Sequence, residues 1–124
     1  HFKSINDRYG HMTGDEVLHS LAQLMRQTIR TQDFIARWGG EEFLILLPAT
    51  RPLEAMYIGE RLRTAVEQGK FLHDGEDLPL TISVGVGNSS SCPDLDKIYR
   101  CADSALYKAK LTRNAVAQNE MRLI

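Results

Sequence analysis

Arg37-Trp38-Gly39-Gly40-Glu41-Glu42-Phe43 sets two glycines beside two carboxylates in a chain of 124 residues. Phe34-Ile35-Ala36 leads into this stretch and Phe43-Leu44-Ile45-Leu46-Leu47 leads out of it. Both flanks read as short strands, so the glycines belong to a hairpin turn. A turn without Cβ atoms lets a bulky ligand such as a nucleotide phosphate come close to the backbone. Carboxylates beside it can hold a hard divalent cation, the usual companion of a triphosphate. An ordinary Gly-Gly hairpin with solvated acids is the competing reading of these residue types alone.

Further groups with chemical potential flank the hairpin. Asn6 precedes Asp7, a pair common in turns. Asp15 opens an apolar-periodic segment, where a helix dipole favours an acid. A carboxylate there can also accept from paired N–H donors, and an Asn amide can both donate and accept. Arg30-Thr31-Gln32-Asp33 offers either a bidentate anion contact or a surface i,i+3 ion pair, a weak interaction. Lys110 and Arg113 lie at the end of a third helical pattern, where the dipole alone favours cations.

The elements that must position these groups follow from periodicity. Val17, Leu18, Leu21, Leu24, Met25 and Ile29 recur at helical spacing. Thr13-Gly14-Asp15-Glu16 has capping-box form, so a helix is expected from Gly14 to Thr28. Pro48 to Pro52 reads as a loop, and Leu53 to Val66 as a second amphipathic helix. His73 to Asp77 is a polar turn region. Leu80 to Val86 is β-branched and strand-like, Leu95 to Lys110 is a third helix, and Ala115-Val116-Ala117 a short final strand.

The motifs follow one another in the order of the GGDEF family, the diguanylate cyclases, which the chain resembles over nearly its whole length. His1-Phe2-Lys3-Ser4-Ile5-Asn6-Asp7-Arg8-Tyr9-Gly10-His11 is similar to the family's FKxxND…GH segment. Gly14-Asp15-Glu16-Val17-Leu18 resembles GDxxL, and Gly39-Gly40-Glu41-Glu42-Phe43 resembles the signature, with Glu for Asp at its third position. Leu80-Thr81-Ile82-Ser83-Val84-Gly85-Val86 is similar to the TxSxG strand, and Ala102 to Lys110 to ADxALYxAK.

The resemblance implies an α/β fold, a ferredoxin-like βαββαβ sandwich similar to nucleotidyl cyclases and polymerase palms. Residues 1–124 would form one such domain lacking its first strand, which in the family delivers a metal-binding Asp just upstream of the FK motif. The implied activity is condensation of two GTP into cyclic di-GMP and pyrophosphate, with Mg²⁺ or Mn²⁺ as cofactor and two domains facing each other in a homodimer. Glu41 and Glu42 are the implied catalytic residues, with Glu41 a metal ligand. Phe2, Lys3, Gly39, Gly40, Lys110 and Arg113 are implied phosphate contacts, and Asn6 and Asp15 the guanine readers. Arg30 and Asp33 match RxxD, the product-inhibition site. The family usually carries AKxxGR, whereas Ala109-Lys110-Leu111-Thr112-Arg113 lacks the glycine before Arg. Two rival readings remain, an inactive cyclic di-GMP receptor and a regulatory GTP-binding domain.

Composition narrows the classes. Fifteen basic and 16 acidic residues leave a net charge of −1, so no basic excess points to a nucleic-acid polymer as partner. No apolar run predicts membrane contact within this domain, and a cytoplasmic setting is expected. Cys92 and Cys101 are too few for a disulfide framework and lack metal-type spacing, so free thiols are expected.

Overall fold

A computed structural model describes residues 2–37, 42–73, 75–88 and 94–118, with the side chains of residues 2–4, 73, 76 and 95 outside the description. The elements run α1 (Phe2–Tyr9), α2 (His11–Thr28), β1 (Phe34–Arg37), β2 (Phe43–Leu46), α3 (Pro52–Gln68), β3 (Leu72–His73), β4 (Glu76–Asp77), β5 (Val84–Val86), α4 (Leu95–Thr112) and β6 (Val116–Gln118). The expected order of helix, hairpin, helix, strand and helix is present, in a mixed α/β arrangement of small sheets.

Three departures have local causes. The segment Phe2–Tyr9 is helical, although its Asn-Asp pair suggested a turn. Gly10, at φ 90°, breaks it from α2, a conformation open to glycine at little cost. Consequently α2 begins at His11, and Thr13 is a buried helical residue rather than a cap. The strand expected over Leu80–Val86 is hydrogen-bonded as a strand only at Val84–Val86. Leu80 and Ile82 are half-buried against the core instead, without a ladder partner among the described residues. Finally, Cys101 is buried and disulfide-bonded, and no cysteine among the described residues is free. Spacing arguments exclude a framework and a metal site but not a single bridge, so the expected free thiols are corrected.

The core forms where the stripe of α2 (Val17, Leu18, Leu21, Met25) meets that of α3 (Ile58, Leu62, Val66), joined by Ile29, Phe71 and Leu78. The hairpin pairs antiparallel, with Phe34 opposite Leu46, Ile35 opposite Ile45 and Arg37 opposite Phe43. Side chains alternate across a strand, so Ile35, Phe43 and Ile45 pack onto the core while Phe34 and Leu46 face outward.

The second packing unit is α4 on the parallel pair β5–β6. A Cβ built on Gly85 would fall 2.2 Å from Ala102 O and from Leu106 N, and one on Gly87 would fall 2.5 Å from Ile98 O. Gly85 and Gly87 are two apart on a strand-like segment and so share a face. Ile98, Ala102 and Leu106 are four apart and so share a stripe of the helix. Backbone therefore lies nearly on backbone, and the buried small residues Ala105 and Ala109 keep neighbouring positions narrow.

Gly85→Ala should consequently destabilise the fold by about 3 kcal/mol or more, since overpacking against rigid backbone cannot relax cheaply. Gly59→Ala is the contrast. Its Cβ would meet only the Val116 and Val84 side chains, at 3.1 and 3.4 Å, and the gain in helix propensity of about 1 kcal/mol offsets that crowding. Urea denaturation of both variants checks the difference, and equal midpoints would contradict it.

Candidate functional site

The stripe of α4 that lies on β5 continues from Ile98, Ala102 and Leu106 to Lys110, one turn further on. There Lys110 Nζ stands 3.7 Å from Glu42 Oε1, with the two side chains 35% and 42% exposed. A pair this long and this exposed adds little stability. Its value is positional, because it brings the acidic end of the signature hairpin to the basic end of α4 across 68 positions of sequence (110 − 42). Trp38, Gly39, Gly40 and Glu41 lie outside the described residues.

Asn6 and Asp15 sit on the first two helices, which pack against each other. The Oδ1 of Asn6 is buried without a hydrogen-bond partner. An unsatisfied buried acceptor costs about 1–3 kcal/mol and calls for an explanation. Turn chemistry does not provide one, because Asn6 and Asp7 are helical. Asp15 is exposed and lies beyond the first turn of α2, which carries no acid, so the dipole reading of Asp15 also weakens. Of the two, Asn6 is left needing a reason other than local structure.

Phe2 and Lys3 begin α1; free backbone N–H groups at a helix start are anion-favouring. Arg113 closes α4 with φ 61° and ψ 166°, its N–H bonded to Ala109 O at 2.9 Å. Lys110 lies in the last turn of α4.

Arg30 and Asp33 form a two-point clasp. Arg30 Nε donates to Asp33 Oδ2 at 3.0 Å, Nη2 donates to Oδ1 at 2.9 Å, and the Arg30 backbone N–H donates to Oδ2 at 2.9 Å. Nη2 also donates to Thr50 Oγ1, which donates onward to Pro48 O at 2.9 Å. The Asp33 side chain is 0% exposed and that of Arg30 28%. This is no surface pair, since it fastens the start of β1 to the turn after β2. Sequence reasoning did not foresee Thr50, because a single Thr in a Pro-rich loop carries no signal. The clasp borders a cavity of about 350 Å³ lined in part by Arg26, Ile29, Thr31 and Phe34. A larger cavity of about 460 Å³, between α2 and α3, is lined by Tyr57, Arg61 and Gln68 among others and holds none of the expected site residues.

The Arg30 side-chain hydrogen bonds hold the Asp33 carboxyl below its ordinary 3.8, against the opposing effect of burial. Arg30 is shifted upward and stays charged. With a lowered folded value, the clasp contributes fully above the ordinary carboxylate range and is lost as pH falls through it. Asp33→Asn should lower the urea midpoint at neutral pH. The gap from wild type should then close below about pH 4. A pH-independent gap would contradict this assignment.

Among the described residues no three His, Cys, Asp or Glu gather as a metal group, so these residues alone do not form a complete coordination sphere. The adjacent Glu41 and Glu42 supply hard oxygen donors of the kind Mg²⁺ and Mn²⁺ prefer. Among the described residues no helix is long and apolar enough to cross a membrane.

Comparison with known proteins agrees with this layout. The family described as diguanylate cyclase, GGDEF domain, matches residues 1–115. Diguanylate cyclase DosC of Escherichia coli is 40% identical over 110 residues, covering 88% of this chain and 24% of DosC. The chain thus spans about a quarter of that relative. The active GGEEF domain of a diguanylate cyclase from Vibrio cholerae superposes with a TM-score of 0.79 at 35% identity, over 98% of this chain and 78% of that one. The GGDEF domain of DgcB from Caulobacter crescentus, in complex with c-di-GMP, superposes at 0.78 with 29% identity, over 94% and 71%.

Proposed function

Because the chain belongs to the diguanylate cyclase GGDEF-domain family, we propose that the protein carrying it condenses two GTP molecules into cyclic di-GMP. The observation that carries the reading is the 3.7 Å approach of Lys110 to Glu42. It puts a cation beside the acidic edge of a glycine hairpin, the arrangement a metal-bound triphosphate needs.

Each GTP presents its 3′-hydroxyl to the α-phosphate of the other. Two new phosphodiester bonds form and two pyrophosphates leave. One domain holds one GTP, so two domains must face each other in a homodimer. Gly39 and Gly40 give the phosphates room. Phe2 contributes backbone N–H, while Lys3, Lys110 and Arg113 contribute positive charge. Asp15 accepts from the N1–H and N2–H of guanine, a donor pair that adenine lacks. Asn6 Oδ1 is the second acceptor, and a guanine donor would satisfy the atom now buried without a partner. Glu41 would hold Mg²⁺ or Mn²⁺ with an acid expected on a strand before His1, and Glu42 would support it. The ion when bound would stabilise the attacking and leaving oxygens. We also propose that Arg30 and Asp33 bind the product and restrain the enzyme, as the adjoining cavity permits.

Full-length protein incubated with GTP or ATP and Mg²⁺, with the products resolved by chromatography, tests the reading. A cyclic dinucleotide should form from GTP alone, and Glu41→Ala should abolish it. Asp15→Ala should raise KM for GTP by about tenfold or more through loss of a charged hydrogen bond. GTP binding without product would favour the regulatory reading instead, and undiminished turnover in Glu41→Ala would refute its assigned role.

Product feedback is tested separately. Loss of the Arg30 guanidinium should weaken cyclic di-GMP binding by about tenfold to a hundredfold, read by calorimetry on Arg30→Ala. Equal affinities would reduce the clasp to a purely structural one.

A further inference from the structure

The last turn of α4 carries a backbone cost that its own residues do not offset. Arg113 sits at φ 61° and ψ 166°, a region close to glycine-only and costly for other residues. Asn114 follows at φ 46°, left-handed and more tolerable for Asn. Helices commonly end on a left-handed glycine, and none stands here. Something outside α4 must hold the turn.

That hold comes from α3. Arg63 Nη1 donates to Asn114 Oδ1 at 3.0 Å, and Asn114 Nδ2 donates to Glu67 Oε2. Arg63 is in turn fixed by Nε to Glu60 Oε1 at 2.9 Å and by Nη1 to Glu67 Oε2 at 2.9 Å. Its side chain is only 19% exposed. Glu60, Arg63 and Glu67 lie on one face of α3 by their i, i+3, i+7 spacing. Both halves of the Asn114 amide are therefore used, the oxygen by a cation and the nitrogen by an anion. The guanidinium of Arg63 is committed to these partners and is not offered to a nucleotide.

We propose that Asn114, gripped by Arg63 and Glu67, is a positioning residue. It fixes the strained end of α4 so that Arg113 is presented to the phosphates of GTP. The proposal rests on the reading of Arg113 as a phosphate contact. Asn114 would act through Arg113 and touch no substrate.

Asn114→Gly separates the two possible uses of this position, since glycine accepts the left-handed backbone and removes only the side-chain grip. In full-length protein Asn114→Gly should raise KM for GTP about tenfold with kcat little changed, the pattern of lost uniform binding. Arg63→Gln, which loosens the grip from the α3 side, should do the same. Arg113→Ala should also raise KM, and adding Asn114→Gly to it should add nothing, because the two act as a unit. Wild-type KM in Asn114→Gly and Arg63→Gln beside a raised KM in Arg113→Ala would overturn the positioning role alone. Wild-type KM in Arg113→Ala would overturn it together with the phosphate reading of Arg113. Additive effects in the double variant would show that Asn114 acts on its own and would likewise overturn the proposal.

Discussion

The candidate site depends on how closely α4 lies on β5. With Gly85 and Gly87 facing the helix, its backbone comes within 2.2–2.5 Å of where their Cβ atoms would be. A helix set this near has little freedom to slide or rotate, because any side chain between it and the strand would push it away. The stripe that makes the contact ends in Lys110, so the packing also sets where that cation stands relative to Glu42. A weak exposed ion pair and a rigid interface of small residues together place charge opposite the signature hairpin. The strength of the arrangement is in the packing, and its chemistry is at the rim.

The remaining polar contacts tie the same frame together at its corners. The Arg30–Asp33–Thr50 clasp joins the strand entering the hairpin to the turn leaving it. The Arg63–Asn114–Glu67 network joins α3 to the end of α4. Each buries or half-buries a charged group with a partner at hydrogen-bonding distance, the condition under which such groups are tolerated. Asn6 is the exception, with a buried oxygen left open, and it is also a residue for which a ligand is proposed.

Much of this was legible in the sequence. The apolar stripes of α2 and α3 and the alternating flanks of the hairpin are where periodicity put them, and the motif order pointed to the family that the comparisons show. What escaped has physical reasons. The helix α1 has Phe2, Ile5 and Tyr9 at helical spacing, but over only eight residues, and Asn-Asp-Arg-Tyr-Gly mimics turn chemistry. The strand before β5 was overestimated because β-branched residues report propensity, while a ladder needs a partner strand. The grip of Arg63 on Asn114 spans 51 positions and leaves no local trace. The site residues were named by resemblance, and their meeting in space, as for Glu42 and Lys110, could come only from the fold.

The proposal to be tested is that the triphosphate binds between the signature hairpin and the end of α4, with guanine read by Asn6 and Asp15. The direct measurement is phosphorus NMR of full-length protein titrated, in the presence of Mg²⁺, with 3′-deoxy-GTP, which lacks the attacking hydroxyl and so stays intact. Its β- and γ-phosphate resonances should move on binding to the wild type. With Lys110→Met the same concentrations should leave them near their free positions, and 3′-deoxy-ATP should not move at all. Equal shifts in the wild type and Lys110→Met, or equal shifts from the adenine analogue, would contradict it.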